Sequence, residues 1–191
     1  MIRNVKVYGI EDSFKASKYP MSVDTEQCTP EITNTIKNLA KAPGGSGHDQ
    51  FLTGIIAQFD LTFSLKAWTE MQRYHFIDFV SSQSTMHRAS KFDIESQCNE
   101  YVTENTISEV KSLVERYNAS QSAEDYLTLL YNLPTGFQLT ARMTTNYRQL
   151  KTIYHQRKSH RLPEWRNFCE WVESLPYAEL ITDGGINNDN T

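Results

Sequence analysis

The stretch Phe137-Gln138-Leu139-Thr140-Ala141-Arg142-Met143-Thr144-Thr145-Asn146-Tyr147-Arg148-Gln149-Leu150 holds a change of period that decides the fold. In its first half Phe137, Leu139, Ala141 and Met143 alternate with Gln138, Thr140, Arg142 and Thr144, which is the pattern of a strand with one buried face. Arg142 then points away from the face that the apolar residues cover. At Asn146 the period lengthens. An amide at the cap, with Gln149 three residues on, opens a helix to about Lys158 whose stripe is Tyr147, Leu150, Tyr154 and Arg157. An arginine on the inward stripe needs a partner. A last helix starts at Pro163 and sets Trp165, Phe168, Cys169 and Val172 at the i, i+3, i+4, i+7 spacing of a buried face.

Working back toward the N-terminus, helices are expected over Ala123 to Asn132, opened by the capping pair Ser122 and Asp125, and over Ile107 to Tyr117. Phe59, Leu61, Phe63 and Leu65 alternate with polar residues up to Lys66 and read as a half-buried strand. From Ala67 to about Val80 the spacing of Trp68, Met71, His75 and Phe79 reads as a helix, followed by a loop of hydroxyls and amides from Ser81 to Arg88. Thr29-Pro30 supplies a cap and first-turn proline for a helix through Ile32, Ile36 and Leu39, broken at Pro43-Gly44-Gly45. An opening strand covers Val5 to Tyr8. The sum is α+β: a small antiparallel or mixed sheet flanked by helices, one domain over residues 1–182, with 183–191 a frayed, disordered tail that has nothing to bury.

Composition narrows the function classes. With 191 residues, 39% hydrophobic, 8 Gly and 6 Pro, the chain is neither collagen-like nor disordered. Cys28, Cys98 and Cys169 form no CxxC or CxxH spacing, which argues against a disulfide framework or zinc knuckle and for a reduced, cytoplasmic setting. No window approaches the ~20 apolar residues of a spanning helix, and the opening residues lack the apolar run of a signal peptide, so no membrane association is expected.

The net charge of -4 is unevenly spread: from Arg142 to Arg166 seven Lys or Arg stand against Glu164 alone, a local +6, leaving -10 elsewhere. An acidic body repels a nucleic-acid polymer, whereas a basic segment suits a small phosphorylated ligand; a solvated helix face accounts for the charge as well.

The five histidines show no i, i+4 pair and no known ligand pattern, so no metal site is expected. GxSxG, GxxxxGK and GxGxxG are absent, and Cys169 sits on an apolar stripe where an inert core thiol is the ordinary outcome. What remains are arginines: Arg88, at the end of a loop offering Ser82, Gln83 and Ser84, and the group Arg142, Arg157, Arg161 and Arg166. Guanidinium forks match phosphate oxygens two at a time, and the loop's hydroxyls and amide can hold the polar edge of a base or sugar. An ion-paired surface has the same composition.

These residues carry a resemblance. Leu133-Pro134, the strand, Thr144-Thr145-Asn146-Tyr147-Arg148-Gln149-Leu150, Arg157 and Trp165-Arg166 are similar to the LP…T-x-N-x-R-x-L…LR…QWEIR region of the flavin-dependent thymidylate synthases. Gly47-His48 resembles that family's GH, and Leu61-Thr62-Phe63-Ser64-Leu65-Lys66-Ala67 its F-T-F-x-V-K-A segment. The resemblance runs from about Gly47 to Val172. It implies the family's fold, a homotetramer with sites between subunits, and one-carbon transfer to dUMP with FAD, NADPH and methylenetetrahydrofolate. It also implies that Arg88 and Arg166 hold substrate, joined by Gln72 or Arg73, Ser82, Gln83, Ser84 and Arg142, and that His155, Arg157 and Arg161 face the flavin. Where the family carries the RHR triplet that holds the flavin, this sequence has Phe76-Ile77-Asp78 or Ile77-Asp78-Phe79, without a cation, and an aspartate there repels a pyrophosphate. Two readings follow: a divergent enzyme acting on a pyrimidine deoxynucleotide, or a non-catalytic protein of this fold that binds or sequesters a nucleotide without flavin.

Overall fold

The computed structural model describes residues 1–43 and 45–183. Apart from Asp183, the expected tail lies outside the described residues. The elements in chain order are β1 (Ile2–Tyr8), α1 (Ile10–Ala16), α2 (Asn34–Lys41), β2 (Ile56–Ser64), α3 (Leu65–Met71), β3 (Ile77–Ser82), α4 (Thr85–Arg88), α5 (Ile94–Gln97), α6 (Glu104–Ser120), α7 (Ala123–Tyr131), β4 (Gln138–Asn146), α8 (Tyr147–Arg157), α9 (Pro163–Glu173) and α10 (Glu179–Thr182), with short 3₁₀ turns between some of them. The strands pair antiparallel in the order β1-β2-β4-β3, so the α+β reading stands. No helix among the described residues is long and apolar enough to cross a membrane.

Contacts divide the chain into two units. The first comprises Met1–Asp60, Tyr74–Asp78 and the chain from Met143 onward. In it α8 packs on α9 and α10, and α2 on α10. Asn146 caps α8 as its spacing requires, its side chain accepting from the Gln149 N–H at 2.9 Å. The buried face of α9 is the expected one: Trp165, Phe168, Cys169 and Val172 are all buried. Phe59 of β2 meets Phe168 and Trp171 of α9 with ring centroids 6.0 and 4.4 Å apart, tying strand to helix through aromatic faces.

The second unit comprises Leu61–Arg73 and Phe79–Arg142. Ala89, Ile94, Val110, Leu129 and Phe137 form its core, with α6 against α7. Ser122 caps α7 by accepting from the Asp125 N–H at 3.1 Å, as the capping pair predicts. The hydroxyls of Thr62 and Thr140 meet across strands at 2.8 Å, and Trp68 donates its indole N–H to the Leu139 carbonyl at 3.2 Å.

Three expectations change. The helix expected from Thr29-Pro30 begins at Asn34, because Thr33 is the residue whose hydroxyl accepts from the Ile36 N–H. The helix expected from Ala67 to Val80 stops at Met71, and Ile77–Ser82 is a strand. Hydrogen bonding to β4 overrides the helical spacing there: Thr145 Oγ1 donates to the Phe76 carbonyl at 2.7 Å, and beyond the strand the Gln83 N–H donates to the Thr140 carbonyl at 3.0 Å. The expected loop likewise contains the helical turn α4.

Candidate functional site

A cleft of about 300 Å³ opens in the first unit, between the chain following Gly45, the side chain of Phe76 and the first turns of α8. Gly45, in its lining, and Gly47 turn the chain with φ of 88° and 79°, a region where a side chain is strained. With α8 starting at Tyr147, residues 148, 151 and 152 share one flank, and Arg148, Lys151 and Thr152 all line the cleft.

The floor is an ion cluster around Asp49, which is 2% exposed. Arg148 Nε donates to Asp49 Oδ1 at 3.0 Å, and Lys151 Nζ donates to Asp49 Oδ2 at 3.1 Å. The same ammonium donates to the carbonyls of Ala40 and Ala42 at 2.6 and 2.8 Å, so its three protons are spent on the floor and on the end of α2. Arg148 differs. Its side chain is 32% exposed, Asp49 takes only Nε, and among the described residues no group takes its two terminal nitrogens. The three charges sum to +1, and the free part of that charge is a guanidinium fork facing the cleft.

Phe76 also lines the cleft, with 66% of its surface exposed, while Thr145 holds its carbonyl. An anchored backbone with a bare ring offers a stacking face to a planar ligand.

A second cluster in this unit gathers the basic segment. Arg157, on the inward stripe, finds its partner: Nε donates to the Tyr74 hydroxyl at 2.7 Å, and its guanidinium carbon lies 4.7 Å from the Trp165 ring centroid and 5.6 Å from that of Tyr74. Arg166 Nη1 donates to the carbonyls of His160 and Arg161, both at 2.8 Å, while the Arg161 side chain is exposed. His155 is half-buried, with Nε2 shielded and unpartnered among the described residues; burial, then the charge of Lys158, lowers its pKa.

The remaining residues singled out from the sequence lie in the second unit. Gln72, Arg73, Ser82 and Arg88 are exposed, and Ser84 is half-buried, accepting at its carbonyl from the Arg88 N–H. Gln83 Oε1 accepts from the Thr140 N–H at 2.8 Å, so this amide extends the β4 ladder. Arg142 is half-buried on β4, between the buried Ala141 and Met143.

Asp49 escapes sequence reasoning altogether, and Lys151 enters it only within the charge of the basic segment. Arg148 stands inside the T-x-N-x-R-x-L match, and its i, i+3 relation to Lys151 was the available signal.

Cys169 is 2% exposed, and burial pushes its thiol up to about 12 from 9.0. The folded thiol holds its proton to higher pH than the unfolded one, so its contribution to stability is intact below pH 9 and is lost as pH rises toward 12. In native protein at pH 8, a thiol reagent followed by peptide mass mapping is expected to label Cys28 and Cys98 and to leave Cys169 untouched. Labelling of Cys169 at the rate of the other two contradicts this burial.

No family model matches the chain, and no curated protein matches it by sequence. Solved structures do match in fold. The flavin-dependent thymidylate synthase ThyX from Helicobacter pylori, complexed with FAD and dUMP, superimposes with a TM-score of 0.72 at 14% identity, covering 96% of this chain and all of that one. A second structure of that enzyme with FAD and dUMP gives 0.72 at 14% identity over 95% of this chain and 98% of the other. The UMP/dUMP methylase PolB from Streptomyces cacaoi, bound with 5-Br dUMP, gives 0.63 at 16% identity over 97% of each chain. The chain therefore has the ThyX fold.

Proposed function

We propose that this chain uses its ThyX fold to bind a nucleotide, with the phosphate on Arg148. One observation carries the reading: a guanidinium held at Nε by a buried aspartate lines a cleft with its two terminal nitrogens not taken by any described residue. The neighbours in fold hold dUMP or 5-Br dUMP, which makes a pyrimidine deoxynucleotide the first ligand to try.

The flavin dinucleotide fits this cleft poorly. Its two phosphates need two sets of donors, whereas Lys151 is spent on Asp49, Ala40 and Ala42, one guanidinium fork is left, and Phe76, Ile77, Asp78 and Phe79 add no cation. A volume of about 300 Å³ stands at the lower end of ligand pockets. No redox step is assigned to it.

A second reading is kept by the fold itself: one-carbon transfer to a dUMP-like substrate with FAD, NADPH and methylenetetrahydrofolate in a homotetramer. It is supported by two FAD-bound neighbours and a methylase among the matches. In that reading Gln72, Arg73, Ser82, Gln83, Ser84, Arg88, Arg142 and Arg166 serve the substrate and His155, Arg157 and Arg161 the flavin. Purified protein carrying FAD is yellow, so its visible spectrum separates the two readings.

Titration calorimetry with dUMP tests the first. Arg148→Ala is expected to weaken binding by about 1.5–3 kcal/mol, the range for hydrogen bonds to a charged group. Unchanged affinity in that variant removes Arg148 from the site, and absence of dUMP binding to the parent protein removes the nucleotide first tried.

A further inference from the structure

Resting on the nucleotide reading of the Arg148 cleft, we infer that this cleft selects ligands joining one phosphate to one planar ring, a nucleoside or flavin monophosphate, and discriminates against dinucleotides bridged by a pyrophosphate. Counting donors gives the first half. Of the two cations on the floor, Lys151 is exhausted by Asp49 and the carbonyls of Ala40 and Ala42, and Arg148 has already given Nε to Asp49. Its two terminal nitrogens remain, with four N–H groups of which one parallel pair is the complement of two oxygens on a single phosphate. A monophosphate gathers its charge on one group that this fork can hold, whereas a bridging pyrophosphate spreads a like charge over two groups, and the lining residues give the second one no further free cation.

The second half comes from Phe76. Its ring is 66% exposed and lines the same cleft as Arg148, with the backbone carbonyl fixed by Thr145. A flat heteroaromatic ring stacked on Phe76, with its phosphate on the Arg148 fork, occupies both features at once. A dinucleotide leaves its second ring and second phosphate outside a cleft of about 300 Å³.

The experiment is calorimetric titration of the protein with dUMP, AMP, FMN and FAD, each repeated on Arg148→Ala, Phe76→Ala and Phe76→Arg. The expected result is binding of at least one monophosphate, lost or weakened tenfold or more in Arg148→Ala and weakened in Phe76→Ala, with FAD at least tenfold weaker than the best monophosphate. Preference for dUMP, AMP or FMN identifies the ring as pyrimidine, purine or isoalloxazine. Phe76→Arg, which adds a cation at an exposed position, is expected to narrow the gap between FAD and the monophosphates. FAD binding as tight as the best monophosphate, dependent on Arg148, overturns this selectivity while leaving nucleotide binding intact. A monophosphate affinity indifferent to Phe76→Ala overturns the stacking half. No binding by any of the four overturns the nucleotide reading and the selectivity with it. Circular dichroism of each variant shows that the fold is kept.

Discussion

Replacing Asp49 with alanine is expected to destabilise the protein by about 3–5 kcal/mol, the cost of leaving a buried charge without its counter-charge. Lys151 is 6% exposed, so little water reaches it to replace the carboxylate. Its two carbonyl partners remain, but they carry no formal charge to balance the ammonium. In Arg148→Ala the buried Asp49 keeps Lys151 as its counter-charge, so that variant is expected to cost far less stability than Asp49→Ala even though both disturb ligand binding. Urea unfolding at neutral pH gives the comparison directly. An Asp49→Ala midpoint close to that of the parent means that Lys151 has found water or lost its proton. Asp49→Ala, Lys151→Met together are expected to recover part of the loss, since the double variant buries no orphaned charge.

Trp165→Ala is the other large effect, at about 3–5 kcal/mol, the range for deleting a large aromatic ring from a core. Trp165 is fully buried, with ring centroids 5.8 Å from Phe168 and 5.9 Å from Tyr74, and it covers one face of the Arg157 guanidinium. The loss is therefore twofold: a cavity opens, and a buried cation gives up a stacking surface. For a chain of this size the corresponding fall in Tm is about 6–20 °C. Trp165→Phe keeps a ring under Arg157 and is expected to lose much less. Equal losses in the two variants would show that a phenyl ring at this position recovers neither the packing volume nor the stacking on Arg157.

These residues differ in how far the sequence betrays them. Trp165 was legible because α9 repeats its apolar positions at helical spacing from Pro163 onward, and local pattern suffices for a helix that buries one face. Asn146 and Ser122 were legible because a cap acts over three residues. Asp49 was not, since its partners Arg148 and Lys151 stand 99 and 102 positions away and nothing beside it in the chain marks it as buried. The strand β3 misled for a different reason: of its six residues only Ile77 is buried, so an edge strand with Phe79 and Val80 open carries no alternation to read. Arg166 shows a third kind of limit. A guanidinium that donates to the carbonyls of His160 and Arg161 has the same letter in the sequence as one that holds a phosphate.

The ammonium of Lys151 also bears on how this chain can change. Three acceptors, Ala40, Ala42 and Asp49, surround one nitrogen from separate directions, and a rounded, rotatable cation meets such a tripod where a flat, forked one cannot. Lysine and arginine are therefore not interchangeable here: position 151 calls for the compact head, position 148 for the fork, and transposing the two would leave the end of α2 unfastened at one site and the cleft without its pincers at the other.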